Sequence, residues 1–225
     1  MDVSSKSTAT DLVSEVDVAA EELIRARLRD AFPDDAIVGE EGDDTSGTSG
    51  RSWIVDPLDG TVNYLFGIPQ WCVSIALDDE LGVIYDAMRD ECWSVAEDGP
   101  PLLDGEPIAA SGRTEMATAL VATGFGYDTA VREVQGAIVA RLLPRVRDIR
   151  RLGSAALDLA WTAGGRYDAY FERGVKRWDV AAGALLCRAA GLEVRELDAV
   201  PPSDGGILVA PGAFADELLD AVAGR

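Results

Sequence analysis

The chain has 225 residues, of which 48% are hydrophobic and 7% aromatic, so it has enough apolar material for a packed interior and is not a disordered protein. Its 40 acidic residues outnumber its 20 basic residues, and the net charge of −20 argues against partners such as nucleic acid or an anionic membrane. The sequence contains no histidine, which excludes Ser-His-Asp hydrolysis, histidine-ligated zinc and imidazole acid–base catalysis.

The first half of the chain predicts one long helix followed by closely spaced strands. Apolar residues, Leu23 among them, recur every three or four positions from about residue 16 to 32, which predicts a helix that Pro33 ends. A short apolar segment at 36–38 precedes an acidic surface loop at 43–50. Further strands are predicted at 53–55, 71–77, 82–88 and 92–96. The short turns between these strands favour a largely antiparallel sheet.

The second half of the chain alternates between predicted strands and helices. Strands are predicted at 120–122, 147–152, 167–171, 192–197 and 207–210, and helices at 129–143, 154–163, 180–190 and 213–223. This alternation is typical of an α/β architecture. We therefore predict an N-terminal α+β subdomain over residues 1–111 and a C-terminal α/β subdomain over residues 112–225, with a shared interface.

The cysteines and the apolar segments help to predict the cellular compartment of the protein. Cys72, Cys92 and Cys187 are far apart and form no C-x-x-C pair, which predicts isolated buried thiols in a reducing cytoplasm. The N-terminus has no apolar signal segment, and no apolar stretch approaches 18 residues. We expect a soluble, cytoplasmic protein with no membrane partner.

The most informative motif joins an apolar strand to two aspartates, in the run Trp53-Ile54-Val55-Asp56-Pro57-Leu58-Asp59-Gly60-Thr61. Pro57 lacks an N–H, so the strand is predicted to end there, and the turn that follows brings Asp56 and Asp59 to one side. The amides of Gly60 and Thr61 can then face an anion. An anion beside two carboxylates needs a cation between them, which favours oxygen-ligated Mg²⁺ over zinc. The alternative is an ordinary surface turn of Asp, Pro and Gly.

Two glutamates follow the short apolar segment at 36–38. Taken alone, Glu40 and Glu41 are typical of a solvated surface. Paired with Asp56, they become candidates for a third carboxylate ligand of the same cation.

Two further aspartates stand near predicted helix starts. Asp179 precedes a run of small residues and is a suitable N-cap, although small residues also permit that helix end to pack closely against another element. Asp17 lies near the start of the first helix, where it can be a cap or the partner of Ser14 in a capping box.

Taken in order, these blocks resemble the inositol monophosphatase family of Mg²⁺-dependent, lithium-sensitive phosphatases. The blocks that carry the resemblance are Lys6-Ser7-Thr8-Ala9-Thr10-Asp11, Asp17, Gly39-Glu40-Glu41, Asp56-Pro57-Leu58-Asp59-Gly60-Thr61, Gly153-Ser154-Ala155, Glu172 and Trp178-Asp179. They extend over nearly the whole chain. The amino-acid sequence at residues 60–64 and 148–155 is most similar to bacterial, actinobacterial-type members of the family.

The resemblance implies a layered αβαβα sandwich of the α/β class, commonly a homodimer, that uses two or three Mg²⁺ ions. The implied metal ligands are Glu40, Asp56, Asp59, Asp179 and the carbonyl of Leu58. The implied catalytic residues, which orient the attacking water, are Glu40, Asp17 and Thr61. Leu58, Asp59, Gly60, Thr61, Gly153, Ser154, Ala155, Glu172 and Asp179 are the implied substrate-binding residues, and Lys6 is a further phosphate contact.

The implied reaction is hydrolysis of myo-inositol monophosphate to inositol and phosphate by a metal-activated water. Glu172 is an acceptor suited to a polyol hydroxyl, which favours inositol or a sugar as the alcohol. Other small phosphate esters stay open: fructose 1,6-bisphosphate, histidinol phosphate, a nucleotide 3′-phosphate or NADP. A non-catalytic binding module with the same fold is an alternative from a different class.

Overall fold

Two large sheets, each flanked by helices, organise the chain. The computed structural model describes residues 3–5 and 12–224, so residues 6–11, with the predicted phosphate contact Lys6, lie outside the described residues. The described part of the chain forms a seven-stranded sheet, a five-stranded sheet and a two-stranded sheet.

The helices and strands follow the predicted order closely. The helices are α1 (Glu15–Ala31), α2 (Thr61–Leu65), α3 (Thr129–Leu142), α4 (Ala155–Ala163), α5 (Arg177–Ala189) and α6 (Ala215–Ala223), with 3-10 turns at Met116–Thr118 and Leu143–Arg145. The strands are β1 (Val3–Ser5), β2 (Leu12–Ser14), β3 (Ala36–Gly39), β4 (Ser52–Asp59), β5 (Cys72–Leu77), β6 (Leu81–Asp86), β7 (Glu91–Ala96), β8 (Leu102–Leu103), β9 (Glu106–Pro107), β10 (Leu120–Thr123), β11 (Asp148–Arg150), β12 (Ala169–Arg173), β13 (Glu193–Leu197) and β14 (Gly206–Ala210). Among the described helices, none combines the length and the apolar composition that a membrane crossing requires.

The two large sheets differ in strand direction. The first has the order β3-β4-β5-β6-β7-β8-β9 and is antiparallel except for the β3–β4 pair, so it is mainly antiparallel as predicted. The second has the order β11-β10-β12-β14-β13 and is mixed, because β10 runs parallel to both of its neighbours. The chain passes from one sheet to the other between Pro107 and Leu120, in the segment that contains the predicted boundary at residue 111.

The helices and sheets stack in five layers. α1 packs on the outer face of the first sheet, α4 and α5 lie between the two sheets, and α3 and α6 cover the outer face of the second sheet. The central core receives buried side chains from both halves, among them Ile84, Trp93, Leu159 and Tyr170. The αβαβα sandwich implied by the sequence resemblance is confirmed.

The strand that carries the two motif aspartates does not end at Pro57, and that prediction is wrong. β4 continues to Asp59, and its register with β5 shifts between Asp56 and Asp59. Pro57 and Leu58 together lie opposite a single residue of β5. A bulge accommodates the proline because its missing N–H needs no ladder partner there, and the same bulge turns the chain toward the site.

The first helix packs Ile24 and Leu28 of its predicted apolar face against the first sheet, but it buries a neighbouring polar ridge more deeply. Leu23 is 59% exposed, whereas Asp17, Glu21 and Arg25 are at most 5% exposed. These three polar residues are spaced four apart, so they form one ridge along α1. A buried polar ridge needs hydrogen-bond partners in the structure around it.

The close packing of α5 on α4 gives a stability test. A Cβ atom at Gly183 would lie 2.4 Å from the Cβ of Leu159, so we expect Gly183→Ala to lower the free energy of unfolding. The expected loss is about 1–3 kcal/mol, typical of overpacking. Gly136 of α3 has no atom within 4 Å of such a Cβ, so Gly136→Ala is the matched control. It should raise the free energy of unfolding by about 0.5–1 kcal/mol through helix propensity. Urea unfolding measures the free energy of unfolding of both variants. Equal changes in Gly183→Ala and Gly136→Ala would contradict the packing argument.

Candidate active site

A cleft between the two halves of the chain collects most of the residues that the sequence singled out. Its volume is about 420 Å³, and its walls come from the end of β4, the first turns of α2, α4 and α5, and the end of β12. Of the predicted site residues, the cleft is lined by Glu40, Asp56, Leu58, Asp59, Gly60, Thr61, Gly153, Ala155, Glu172 and Asp179. Residues far apart in the sequence therefore share one cavity.

Three carboxylates form the centre of this cleft. Asp56, Asp59 and Asp179 each offer an oxygen, and these oxygens lie within 4.8 Å of one another. The β4 bulge presents the first two, and the Asp56 carboxylate accepts the N–H of Leu58 at 3.0 Å. Asp179 is the third residue of α5 and not its N-cap, so the cap prediction is wrong. Its carboxylate accepts the N–H of Lys176 at 2.5 Å.

The second half of the chain also holds Asp59 directly. Its Oδ2 atom accepts the Ser154 hydroxyl at 2.6 Å and the N–H of Ala156 at 2.7 Å. Ser154 is buried, and its oxygen also accepts the N–H of Leu157 as the N-cap of α4. The resemblance assigned Ser154 to the substrate, but its hydroxyl is bonded to Asp59 and does not line the cleft. The serine therefore orients a carboxylate of the cluster.

Burial and mutual repulsion disfavour the charged forms of the three aspartates. Burial, together with the neighbouring carboxylates, raises the pKa of Asp56 and of Asp179 well above the usual range, and burial raises the pKa of Asp59 to about 6. None of the ion pairs among the described residues includes any of these three aspartates. A cation at this position would relieve their mutual repulsion.

The donor atoms fit a hard divalent cation such as Mg²⁺. They are carboxylate oxygens, and the carbonyl of Leu58 is in the same bulge. The nearby Cys72 thiol has its Sγ atom 3.9 Å from the Asp59 carboxylate. Burial raises the pKa of Cys72 well above its usual range, so it stays protonated and offers no thiolate ligand. The chemistry of this set favours Mg²⁺ over zinc.

The pairing of β3 with β4 places Glu40 in the same cleft, although Glu40 is not one of the three residues whose oxygens lie within 4.8 Å of one another. Gly39 lies opposite Val55, and the next N–H, from Glu40, donates to the carbonyl of Val55 at 3.2 Å. Glu40 is half-buried, and its charge contributes to the raised pKa of Asp56. The solvated surface considered for it does not form.

Thr61 joins the cluster to α1. Its hydroxyl lies 2.8 Å from the carboxylate of Asp17 and 3.1 Å from the carbonyl of Leu58, and its single proton can be donated to only one of them at a time. Asp17 is fully buried and accepts the Thr61 hydroxyl, so its role extends beyond the end of its own helix. Gly60, which precedes α2, has φ near +100°, a conformation that glycine adopts without strain.

The far side of the cleft contains Glu172. Its Oε2 atom accepts the hydroxyl of Tyr170 at 2.8 Å, and burial raises the pKa of Glu172 to about 7. A Cβ at Gly124 would lie 2.0 Å from the same carboxylate oxygen, so a side chain at this position would displace the Glu172 carboxylate. The carboxylate of Glu172 lines the same cleft as the three aspartates.

Sequence reasoning missed a cation on this side. Arg151 lines the cleft, lies over the ring of Phe125 at 5.6 Å and donates to its carbonyl at 3.3 Å. None of the ion pairs among the described residues involves Arg151, whereas Lys176, also in the cleft, pairs with Asp204 at 3.0 Å. The signal in the sequence was the Arg150-Arg151 pair just before the glycine turn at Gly153.

Comparison with known proteins is consistent with this site. The model of the inositol monophosphatase family matches residues 1–223. Inositol-1-monophosphatase SuhB of Mycobacterium tuberculosis is 44% identical, over 98% of this chain and 81% of that protein. A Xylella fastidiosa protein named Nus factor SuhB is 45% identical, over 80% of this chain and 67% of that protein.

Solved structures share the fold. Extragenic suppressor protein suhB of Bartonella henselae superimposes with a TM-score of 0.90 at 32% identity, covering 98% of this chain and 88% of that one. An IMPase/NADP phosphatase complexed with Mg²⁺ and phosphate gives 0.86 at 22% identity, covering 100% and 87%, which is a likeness of fold.

Proposed function

Because the chain belongs to the inositol monophosphatase family, we propose that it is a Mg²⁺-dependent phosphomonoesterase that hydrolyses myo-inositol monophosphate to inositol and phosphate. The observation that supports this most directly is the three-carboxylate cluster beside the Thr61–Asp17 hydrogen bond. Uncatalysed hydrolysis of phosphate monoesters is so slow that an enzyme must supply a rate factor of up to about 10²¹. Without histidine, divalent ions are the available source of most of it.

Asp56, Asp59, Asp179 and Glu40, with the carbonyl of Leu58, are the groups that we propose hold the ions. Mg²⁺ bound there supplies Lewis acidity, which polarises the phosphoryl group, acidifies water and stabilises the leaving alkoxide. Two unit charges 4 Å apart repel by about 4 kcal/mol at an effective dielectric of 20. The carboxylates therefore hold a phosphate dianion only when cations are present.

The chain's own residues then orient the reactants. We propose that the Thr61 proton stays on the bond to Asp17, which leaves a lone pair of the threonine oxygen to accept a hydrogen bond from the attacking water. Glu40 accepts the other hydrogen bond from that water. The amides of Gly60 and Thr61, at the start of α2, bind phosphate oxygens.

The alcohol side supports a polyol. Glu172 accepts hydrogen bonds from hydroxyl groups, and the backbone at Gly153 and Ala155 gives the ring close access. Arg151 favours a second candidate within the class, an ester whose alcohol carries another anionic group, such as fructose 1,6-bisphosphate or NADP. The two candidates differ in the group that lies near the Arg151 guanidinium, which is a hydroxyl in inositol and an anionic group in the second candidate.

Phosphate release from a panel of esters tests the proposal. We expect inositol 1-phosphate to be hydrolysed with Mg²⁺ and to give the highest kcat/KM among inositol 1-phosphate, fructose 1,6-bisphosphate, histidinol phosphate, a nucleotide 3′-phosphate and NADP. A higher kcat/KM for the bisphosphate or NADP would transfer the assignment to the second candidate. No release from any ester with Mg²⁺ would reject the phosphatase.

A binding role is supported by a different observation, because some relatives are named Nus factor SuhB. Such a role needs the fold and its surfaces but not the ions. An Asp56→Asn variant that lost the ions and kept a partner would support it, whereas loss of turnover alone supports the enzyme.

A further inference from the structure

The buried ridge of α1 includes an ion pair that neither substrate nor ion reaches in the proposed reaction. Glu21 is 2% exposed and Arg25 is 5% exposed. The Nε atom of Arg25 donates to Oε1 of Glu21 at 2.7 Å. The two charges compensate each other, so the pair adds no net charge next to the acidic cleft.

The remaining polar contacts of this pair go to the backbone that follows β3. Oε2 of Glu21 accepts the N–H of Glu41 at 2.8 Å, and its Oε1 accepts the N–H of Gly42 at 2.8 Å. Arg25 donates to the carbonyls of Gly42 at 3.3 Å and Asp43 at 3.1 Å. The Glu21–Arg25 pair therefore binds two backbone N–H groups and two backbone carbonyls of the loop that follows β3.

The sequence of the loop is adapted to this contact. A Cβ at Gly39 would lie 2.4 Å from Oε1 of Glu21 and 2.6 Å from a terminal nitrogen of Arg25. At Gly42 the corresponding distance to Glu21 is 3.0 Å. Glycine before and after Glu40-Glu41 lets the backbone lie directly against the charged groups.

Glu40 is fixed from both sides by this arrangement. Its own N–H is bonded to Val55 of β4, and the next two N–H groups are bonded to Glu21. Replacing a buried ion pair by apolar residues is often neutral or stabilising, so stability alone does not explain why one is kept here. What an apolar pair would lose is the set of bonds that determines the path of the loop carrying Glu40.

We propose that Glu21 and Arg25 are positioning residues that hold the Glu40 carboxylate at the aspartate cluster and thereby set the affinity of the site for a divalent ion. The inference rests on the proposed function, in which Glu40 is a metal ligand. It concerns how tightly the ion is held and not which ester is hydrolysed.

The test compares Glu21→Gln with Glu22→Gln, the same change at the neighbouring exposed residue. In the first variant the new side-chain amide presents an NH₂ group to one of the two backbone donors and leaves Arg25 without its counter-ion. Titration calorimetry of the metal-free proteins with Mn²⁺, a hard ion suited to oxygen ligands, gives the dissociation constants. We expect a rise of at least ~10-fold for Glu21→Gln, as for other residues that support a metal ligand, and none for Glu22→Gln.

Thermal unfolding in EDTA gives the melting temperature of each metal-free variant. If Glu21 had only a structural role, Glu21→Gln would lower the melting temperature but leave the Mn²⁺ affinity unchanged at temperatures well below the melting temperature. Unchanged affinity in folded Glu21→Gln would overturn the inference. If that variant does not fold, Arg25→Lys decides, because lysine keeps the charge but loses the planar fork that reaches Glu21 and the two carbonyls. Arg25→Lys should weaken Mn²⁺ binding. If this variant binds Mn²⁺ as tightly as the wild type, the inference is overturned. Failure of the wild-type protein to bind Mn²⁺ would instead reject the proposed function.

Discussion

Replacing Asp56 by Asn is expected to abolish turnover while leaving the fold intact. Asp56 offers an oxygen within 4.8 Å of oxygens of Asp59 and Asp179, and Glu40 is within electrostatic reach, so Asp56 is central to the proposed ion site. Losing its charge should lower kcat by at least ~10³-fold, because a group central to transition-state electrostatics is removed. Phosphate release at saturating Mg²⁺ measures the effect.

The same variant has an unusual expected effect on stability. Asn retains an oxygen for the N–H of Leu58, which Asp56 now accepts at 3.0 Å, and it removes one of several mutually repelling charges. In EDTA at pH 8, we expect the melting temperature of Asp56→Asn to equal or exceed that of the wild type. Asp220→Asn, on the exposed face of α6, is the matched control and should change neither property. Substantial remaining turnover, or a marked loss of stability, would contradict the assignment of Asp56.

The metal-free protein is expected to lose stability as the pH rises, and Mg²⁺ should restore it. Burial raises the pKa of Asp59 from 3.8 to about 6, and that of Glu172 from 4.5 to about 7. Both groups therefore bind protons more tightly in the folded state than in the unfolded state. Their stabilising contribution is complete below about pH 4 and is lost as the pH rises through about 6 and 7, at roughly 3 kcal/mol for each group.

Urea unfolding in EDTA at pH 5 and pH 8 measures this loss. Adding Mg²⁺ should raise the free energy of unfolding strongly at pH 8 and little at pH 5, because the ion competes with protons and binds the folded state. A NaCl control at matched ionic strength separates binding from the screening of a net charge of −20. Equal effects of the two salts, or greater stability of the metal-free protein at pH 8, would contradict the argument.

Local chemistry explains what the sequence predicted well. Asp56 and Asp59 were recognised as a pair because proline, glycine and threonine around them restrict the backbone within a few residues. Strand and helix order followed from the apolar periodicity, and most element bounds agree within a few residues. The end of β4 was wrong because a bulge absorbs Pro57, and the bulge depends on pairing with β5.

Contacts between distant residues explain what residue patterns alone did not predict. Asp179 looked like an N-cap, and only the family resemblance linked it to the motif aspartates. Ser154 does cap α4, but its bond to Asp59 spans 95 residues of sequence. Glu21 and Arg25 interrupt the apolar pattern of α1, and spacing of four between charged residues on one face was the available signal. Their partners are backbone groups, which side-chain patterns do not reveal.

The bonds from Ser154 and Ala156 to Asp59 have a consequence for the protein during its synthesis. They join positions 95 and 97 residues apart, so Asp59 leaves the ribosome well before the groups that hold it. Asp179 emerges later still. A nascent chain therefore exposes an incomplete carboxylate cluster until translation has passed the start of α5.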